Sequence, residues 1–210
     1  MDGVLRELRR RVEASPEDVE LCAELGRALG RAGDPLAPAY EAGLLCAPST
    51  LERLALEGWP ALLVGGDAER RERVARTLHG AWQPPARRWI SHLPGWASEN
   101  AFENELFGYE RVAGFIGGGL RIRPGALEQD PRSLLFLDDV EQLPRSIQRG
   151  LRGVVARRTL RRVGSEVEIP VDVRLVAGST RDLASPLARQ LFDPELGALL
   201  QACVLPLAPG

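Results

Sequence analysis

"ALLVGGDAERRERVARTLH" runs from Ala61 to His79, and its reading decides the fold. Ala61-Leu62-Leu63-Val64 is an apolar run of strand length, closed by the glycine pair Gly65-Gly66. Val74, Ala75 and Leu78 then recur at helical spacing. Strand, glycine turn and helix in that order frame a phosphate-binding loop, G-x-x-x-x-G-K. There, backbone N–H groups and a lysine hold the phosphates. The loop here reads Asp67-Ala68-Glu69-Arg70-Arg71-Glu72, with neither the second glycine nor the lysine.

Outward from this frame the same alternation continues. Arg88–Ser91, Leu134–Leu137, Val173–Ala177 and Cys203–Leu205 are further short strand candidates with helical runs between them. That pattern predicts an α/β domain on a mainly parallel sheet. The chain has 210 residues, 44% hydrophobic and 27% charged, as expected for one sizeable globular domain with a small appendage. No apolar run approaches the ~20 residues that cross a bilayer, and the charged start "MDGVLRELRRRVEAS" has no apolar signal core. A cytoplasmic location is the expectation. The net charge of −2 gives no global attraction for nucleic acid. All 27 basic residues are Arg, so no mechanism can draw on a lysine ammonium of this chain. Cys22, Cys46 and Cys203 lack C-x-x-C spacing and read as buried small hydrophobes rather than ligands or a disulfide, and His79 and His92 are too few and too scattered for a metal cluster.

Residues 1–14 read as an amphipathic helix with Val4, Leu5, Leu8 and Val12 on one stripe. Ser15-Pro16-Glu17-Asp18 predicts a helix start with Ser15 as N-cap, and the next helix carries Leu21, Cys22, Leu25 and Leu29 to a stop near Gly33. A further helix is expected from about Leu36 to Cys46. The hairpin resembles a tetratricopeptide repeat at Leu25-Gly26 and Gly33-Asp34; a plain helical hairpin is the other reading. Either way its apolar stripe needs a cover, and Leu51, Leu54 and Leu56 make the connection to Gly58 helical rather than a free linker.

Three later blocks complete the picture: "ENELFGYERVAGFIGGG" (Glu103–Gly119), "PRSLLFLDDVEQLPRSIQRGLRGVV" (Pro131–Val155) and "LRRVGSEVEIPVDVRLVAGSTRDL" (Leu160–Leu183). In order and spacing, the four blocks resemble the central AAA+ domain of sigma-54-dependent transcription activators, over about Leu56 to Pro206. The resemblance implies a P-loop NTPase-like core with a five-stranded sheet, ATP and Mg²⁺ as cofactors, and a ring that remodels sigma-54 RNA polymerase.

Carried over residue by residue, the resemblance is uneven. The family's loop reads GESGTGKE. Gly65 and Glu72 match its ends, Gly66 follows Gly65, and Arg70 and Arg71 stand at the second glycine and the lysine. Asp138 keeps the position that would organise Mg²⁺, while Asp139 replaces the glutamate that polarises water. At the family's polymerase-gripping GAFTGA, this chain keeps Phe115 but has Ile116 for threonine; the two read either as a small apolar partner loop or as residues folded onto the domain. The family's A-T-N-R-D-L is here Gly178-Ser179-Thr180-Arg181-Asp182-Leu183, and the two arginines that reach a neighbouring subunit correspond to Asp193 and Leu199. A basic run, Arg145 to Arg162, reads as nucleic-acid contact or as a solvated or ring-interface surface. No counterpart of the family's helical lid, or of a DNA-binding helix-turn-helix, is found in these 210 residues.

The resulting expectation is a helical, TPR-like hairpin over 1–55 and an AAA+-type core over 56–210, without a lid. As a function, it points to a catalytically inactive regulatory or interaction module, a pseudo-ATPase with a protein partner: a sigma-54 activator, an RNA polymerase component or a second copy. Neither membrane nor dedicated DNA binding is expected. An ATP-binding activator ATPase and a TPR-type adaptor are the alternatives.

Overall fold

The computed structural model describes residues 2–58, 60–82, 88–92, 98–112, 120–130, 132–181, 183, 185 and 192–209. Its centre is a five-stranded, all-parallel sheet in the order β2-β5-β8-β1-β9. The strands are β1 (Ala61–Val64), β2 (Arg88–His92), β5 (Ser133–Leu137), β8 (Val173–Ser179) and β9 (Val204–Pro206). The expected neighbours β5, β8 and β1 are adjacent and parallel, with Leu135 opposite Leu175 and Ala61 opposite Val176. Two antiparallel pairs lie beside the sheet, β3 (Gly108–Val112) with β4 (Leu120–Pro124) and β6 (Thr159–Arg161) with β7 (Glu168–Pro170).

Leu134–Leu137 and Leu175–Ala177 are apolar at every position because both faces of the sheet are covered there. Successive side chains point to opposite faces. Leu63, Leu134, Phe136 and Val176 therefore join one core, and Leu62, Leu135, Leu137, Leu175 and Ala177 the other. The second core is closed by α6 (Glu99–Phe107), α7 (Arg145–Arg157) and α8 (Pro194–Gln201). The first is closed by α5 (Ala68–Ala81) and by the N-terminal helices α1 (Asp2–Ala14), α2 (Val19–Ala32), α3 (Ala37–Glu41) and α4 (Pro48–Glu57).

The hairpin's stripe is covered as its composition requires. Leu21, Leu25 and Leu29 are buried in the same core as Leu63 and Val74. Arg9 ties α1 to Asp34 at 2.8 Å and to Glu52. Glu13 accepts hydrogen bonds from the N–H and hydroxyl of Ser49 at the start of α4. The far end of α4 is fixed to the sheet by Arg174 of β8, which donates to the carbonyls of Ala55 (3.1 Å) and Leu56 (3.3 Å) and lies 3.5 Å from the Trp82 ring centroid. Burial pushes the Arg174 pKa down to about 10.

Three local expectations are corrected. The N-cap of α2 is Asp18, not Ser15, because the Asp18 carboxylate takes the Leu21 N–H at 2.9 Å while Ser15 closes a turn. The helix expected to reach Cys46 stops at Glu41. Gly43 turns the chain at φ +90°, and Leu44 and Leu45 then pair with Leu207 and with Pro206 at the end of β9, a long-range competitor that local spacing does not reveal. Val4 does not share the buried stripe of Leu8 and Val12 and is exposed.

One core spanning α1 to β9 predicts one unfolding transition. Leu25→Asp buries a charge without a partner and removes a core side chain, costing at least about 3 kcal/mol. A thermal melt should show the single transition lowered by roughly 6–12 °C. A second transition unmoved by the substitution would show that the helices and the sheet unfold separately.

Candidate functional site

The candidate site lies where β1 and β5 end, beside β8. After Val64 the chain turns through Gly65 (φ +84°) and Gly66 (φ +61°), a left-handed path that glycine adopts without steric cost. Asp67 then caps α5, its carboxylate accepting the Arg70 N–H at 2.8 Å. A carboxylate thus sits at the positive end of α5, where a phosphate would be held. The helix begins at Ala68, so Arg70 and Arg71 are helical residues rather than loop residues.

Arg71 turns inward and is only 2% exposed. Its Nε donates to Asp138 Oδ1 at 2.6 Å and its Nη2 to Asp138 Oδ2 at 2.9 Å, a bidentate pair with a carboxylate that is itself buried. Nη1 donates to the carbonyls of Gly65 (3.2 Å) and Gly66 (2.9 Å), and Nη2 also meets Asp139 Oδ1 at 3.5 Å. The five N–H donors of a guanidinium thus have five acceptors around them. Burial works against the charged form. The hydrogen bonds of Asp138 and the charges of Asp138, Asp139 and Glu141 outweigh it and hold the Arg71 pKa above the arginine value. Asp139, in the left-handed region at φ +47°, has its carboxyl pKa raised by burial and then by the charges of Asp138 and Glu141, with Arg71 opposing.

These groups can be tested against a phosphate and a divalent cation. A phosphate cradle needs inward N–H donors. Here the carbonyls of Gly65 and Gly66 face Arg71, the Gly65 N–H donates to Ser179 O at 3.2 Å, and the Arg70 N–H is spent on Asp67. A cation needs free carboxylate oxygens, and both oxygens of Asp138 are held by Arg71. In this arrangement the residues do not fit a nucleotide phosphate with its metal. No group of His, Cys, Asp and Glu suited to a metal occurs among the described residues.

Of the other expected site residues, Arg70 points outward, within 3.5 Å of the carbonyls of Ala208 and Pro209, and Glu72 pairs along the helix surface with Arg76 at 2.6 Å. Thr180 donates its hydroxyl to Glu141 at 3.1 Å. Asp193 is the buried N-cap of α8, accepting the Leu196 N–H at 2.9 Å, and Leu199 is half-buried on that helix. Phe115 and Ile116 lie outside the described residues. Sequence reasoning brought Arg71 and Asp138 to one site but missed Gly178. A Cβ on Gly178 would overlap Asp138 Oδ1 and stand 3.1 Å from Arg71 Cδ and Nε. The signal was present: Gly178 stands where the A-T-N-R-D-L pattern has alanine.

Gly178→Ala should therefore destabilise the chain by about 1–3 kcal/mol in urea unfolding, through overpacking against a fixed ion pair. Gly80→Ala, in α5 with open space at its Cβ, should stabilise it by up to about 1 kcal/mol. Equal effects of the two would show that Asp138 is not held in place.

Comparison with known proteins agrees with the geometry of the frame. A family model described as the Sigma-54 interaction domain matches residues 42–205. The sigma54-dependent transcriptional regulator SfnR of Pseudomonas fluorescens is 33% identical over 159 residues, covering 76% of this chain and 43% of SfnR. The Psp operon transcriptional activator of Escherichia coli is 33% identical over 153 residues, covering 71% of this chain and 46% of the activator. The chain thus spans less than half the length of these two relatives. Among solved structures, NtrX from Brucella abortus superposes with a TM-score of 0.61 at 25% identity, over 76% of this chain and 34% of NtrX. The P-loop NTPase domain of an E. coli sigma-54 activator shares the fold, with a TM-score of 0.50 at 15% identity, over 77% of this chain and 91% of that one. A parallel α/β core with P-loop neighbours and a family match across most of its length place this chain in the sigma-54 interaction domain family.

Proposed function

We propose that this chain is a non-hydrolysing member of its family, a regulatory or interaction module that works by protein contact rather than by ATP turnover. The observation that carries the proposal is Arg71. Its guanidinium occupies the space between the glycine turn and Asp138 and takes up both oxygens of the carboxylate that would organise Mg²⁺. Phosphoryl transfer depends on positioning and charge stabilisation by several parts at once. Here Arg71 replaces the compact ammonium, Asp139 is one methylene short of the glutamate, and Asp193 and Leu199 replace the arginines expected to reach a neighbour. Gly178 supports the same reading: an alanine would disturb the pair, so the surrounding strand fits the arginine as well as the arginine fits the strand.

The relatives' names connect them with sigma-54-dependent transcription and the Psp operon, so the partner is sought within that machinery: a sigma-54 activator, an RNA polymerase component or a second copy of this chain. Among the described residues no helix is long and apolar enough to cross a membrane.

A second reading rests on NtrX from Brucella abortus, which has been solved in complex with ATP. Under it, nucleotide binds here after Arg71 leaves Asp138, still without turnover.

Titration calorimetry with ATP and Mg²⁺, alongside a phosphate-release assay, separates the readings. The first predicts no Mg²⁺-dependent binding tighter than about 1 mM, which is about −4 kcal/mol, and no release of phosphate. Micromolar affinity that requires Mg²⁺, about −8 kcal/mol, would replace it with the second. Phosphate release proportional to protein, and lost in Asp138→Asn, would overturn both.

A further inference from the structure

A cavity of about 460 Å³ lies between α6, α7 and β6, built from residues that the strand-end site does not use. Its wall carries Arg149, Arg152 and Arg157 from α7, then Arg161 and Arg162, against two acids, Glu103 and Glu168.

The arginines are unequally engaged. Arg162 is held by Glu128, and by Glu110 at 3.7 Å. Arg161 meets Glu166 at 3.1 Å and Glu168 at 2.9 Å. On α7 the commitments are weaker. Arg149 is exposed and makes no ion pair among the described residues. Arg157 reaches Glu168 only at 3.9 Å. Arg152 meets Glu195 at 3.3 Å and Asp193 at 3.8 Å through Nη1, while its Nε is buried without a partner. A buried donor left unpaired is costly, so the protein leaves the Arg152 side chain incompletely satisfied.

The floor is shaped by two glycines in the middle of α7, each costing about 1 kcal/mol of helix propensity against alanine. A Cβ on Gly150 would overlap the Phe107 ring, so this glycine lets α6 and α7 approach closely. A Cβ on Gly153 would lie 3.2 Å from Arg157 Nη2 and 3.3 Å from the Thr159 carbonyl, in space the pocket keeps open.

We propose that this pocket binds a small phosphoryl anion, a pyrophosphate group either free or carried on a nucleotide. Its volume is in the range of small-ligand sites rather than extended protein interfaces. Guanidinium forks match phosphoryl oxygens bidentately, and three of the arginines that line the pocket come from one helix. The proposal does not depend on the reading of Arg71, because no lining residue belongs to residues 65–72 or to Asp138 and Asp139.

The test is calorimetry of the full chain with sodium pyrophosphate, without Mg²⁺ and at about 50 mM salt, where screening is weak. Saturable one-to-one binding is expected. Arg149→Ala with Arg157→Ala should weaken it roughly tenfold or more. Both side chains are exposed, and an unchanged melt confirms that the fold survives. Arg10→Ala with Arg73→Ala removes the same charge elsewhere and should weaken binding by less than about threefold, the modest effect of distant exposed charge. Equal weakening by the two pairs, or no saturable binding by the intact chain, overturns the proposal. A parallel ADP titration separates the sources: affinity about tenfold above that of pyrophosphate assigns a nucleotide as carrier, and equal affinity assigns the free anion. ADP binding that survives the Arg149/Arg157 variant lies elsewhere and counts against the non-nucleotide reading of residues 65–72, while pyrophosphate still judges this pocket.

Discussion

The buried ion pair between Arg71 and Asp138 is the constraint around which the end of the sheet is organised. Taking two charges out of water costs several kcal/mol per ion, recovered only where the geometry is good and the remaining donors are met. Both conditions hold here. The fork is bidentate, and the donors left over reach the carbonyls of Gly65 and Gly66 and the carboxylate of Asp139. The pair joins α5 to β5, the glycine turn closes around it, and β8 passes so near that only glycine fits at 178. A lysine could not do the same, since its ammonium is a compact, mobile charge without a planar fork.

The polarity of the site follows from that one substitution. A phosphate loop offers donors to an anion, whereas this one offers acceptors to a cation that belongs to the chain. Asp67 repeats the exchange at the start of α5, where a side-chain carboxylate takes an N–H of the first turn. The two replacements answer each other: Arg71 supplies the positive charge next to Asp138, and Asp67 supplies the negative charge next to the helix. Asp193 is also turned inward: it caps α8 within the protein and receives Arg152 at 3.8 Å.

Much of the fold was legible because burial on both faces writes itself as continuous apolar runs. Leu134–Leu137 is such a run, Val173–Ala177 is one broken only by Arg174, and the order of their neighbours followed from the resemblance. The turn at Gly65-Gly66 was legible because a positive φ twice in succession favours glycine. What the sequence did not reveal was set by contacts distant along the chain. The early stop of α3 comes from pairing between Leu44 and Leu207. The cap of α2 was read as Ser15, and only the geometry shows that the Asp18 carboxylate takes the Leu21 N–H instead. At the site, the residue types at 71, 138 and 139 were visible, but the inward turn of Arg71 depends on the space left by Gly178. The glycine stood in the quoted run without being singled out, and its partner is a side chain more than a hundred positions away.

The coupling energy between Arg71 and Asp138 tests the central claim most directly. A double-mutant cycle with Arg71→Met, Asp138→Leu and the combined variant, each measured by urea unfolding, isolates it. Each single substitution leaves a buried charge without its partner and should cost about 3–5 kcal/mol. The combined variant should recover most of that loss, giving a coupling of roughly 3 kcal/mol or more, since an apolar pair of similar volume is often as stable as the ions it replaces. Single effects that simply add, within about 0.5 kcal/mol, would show that the two side chains are not paired and would contradict the account.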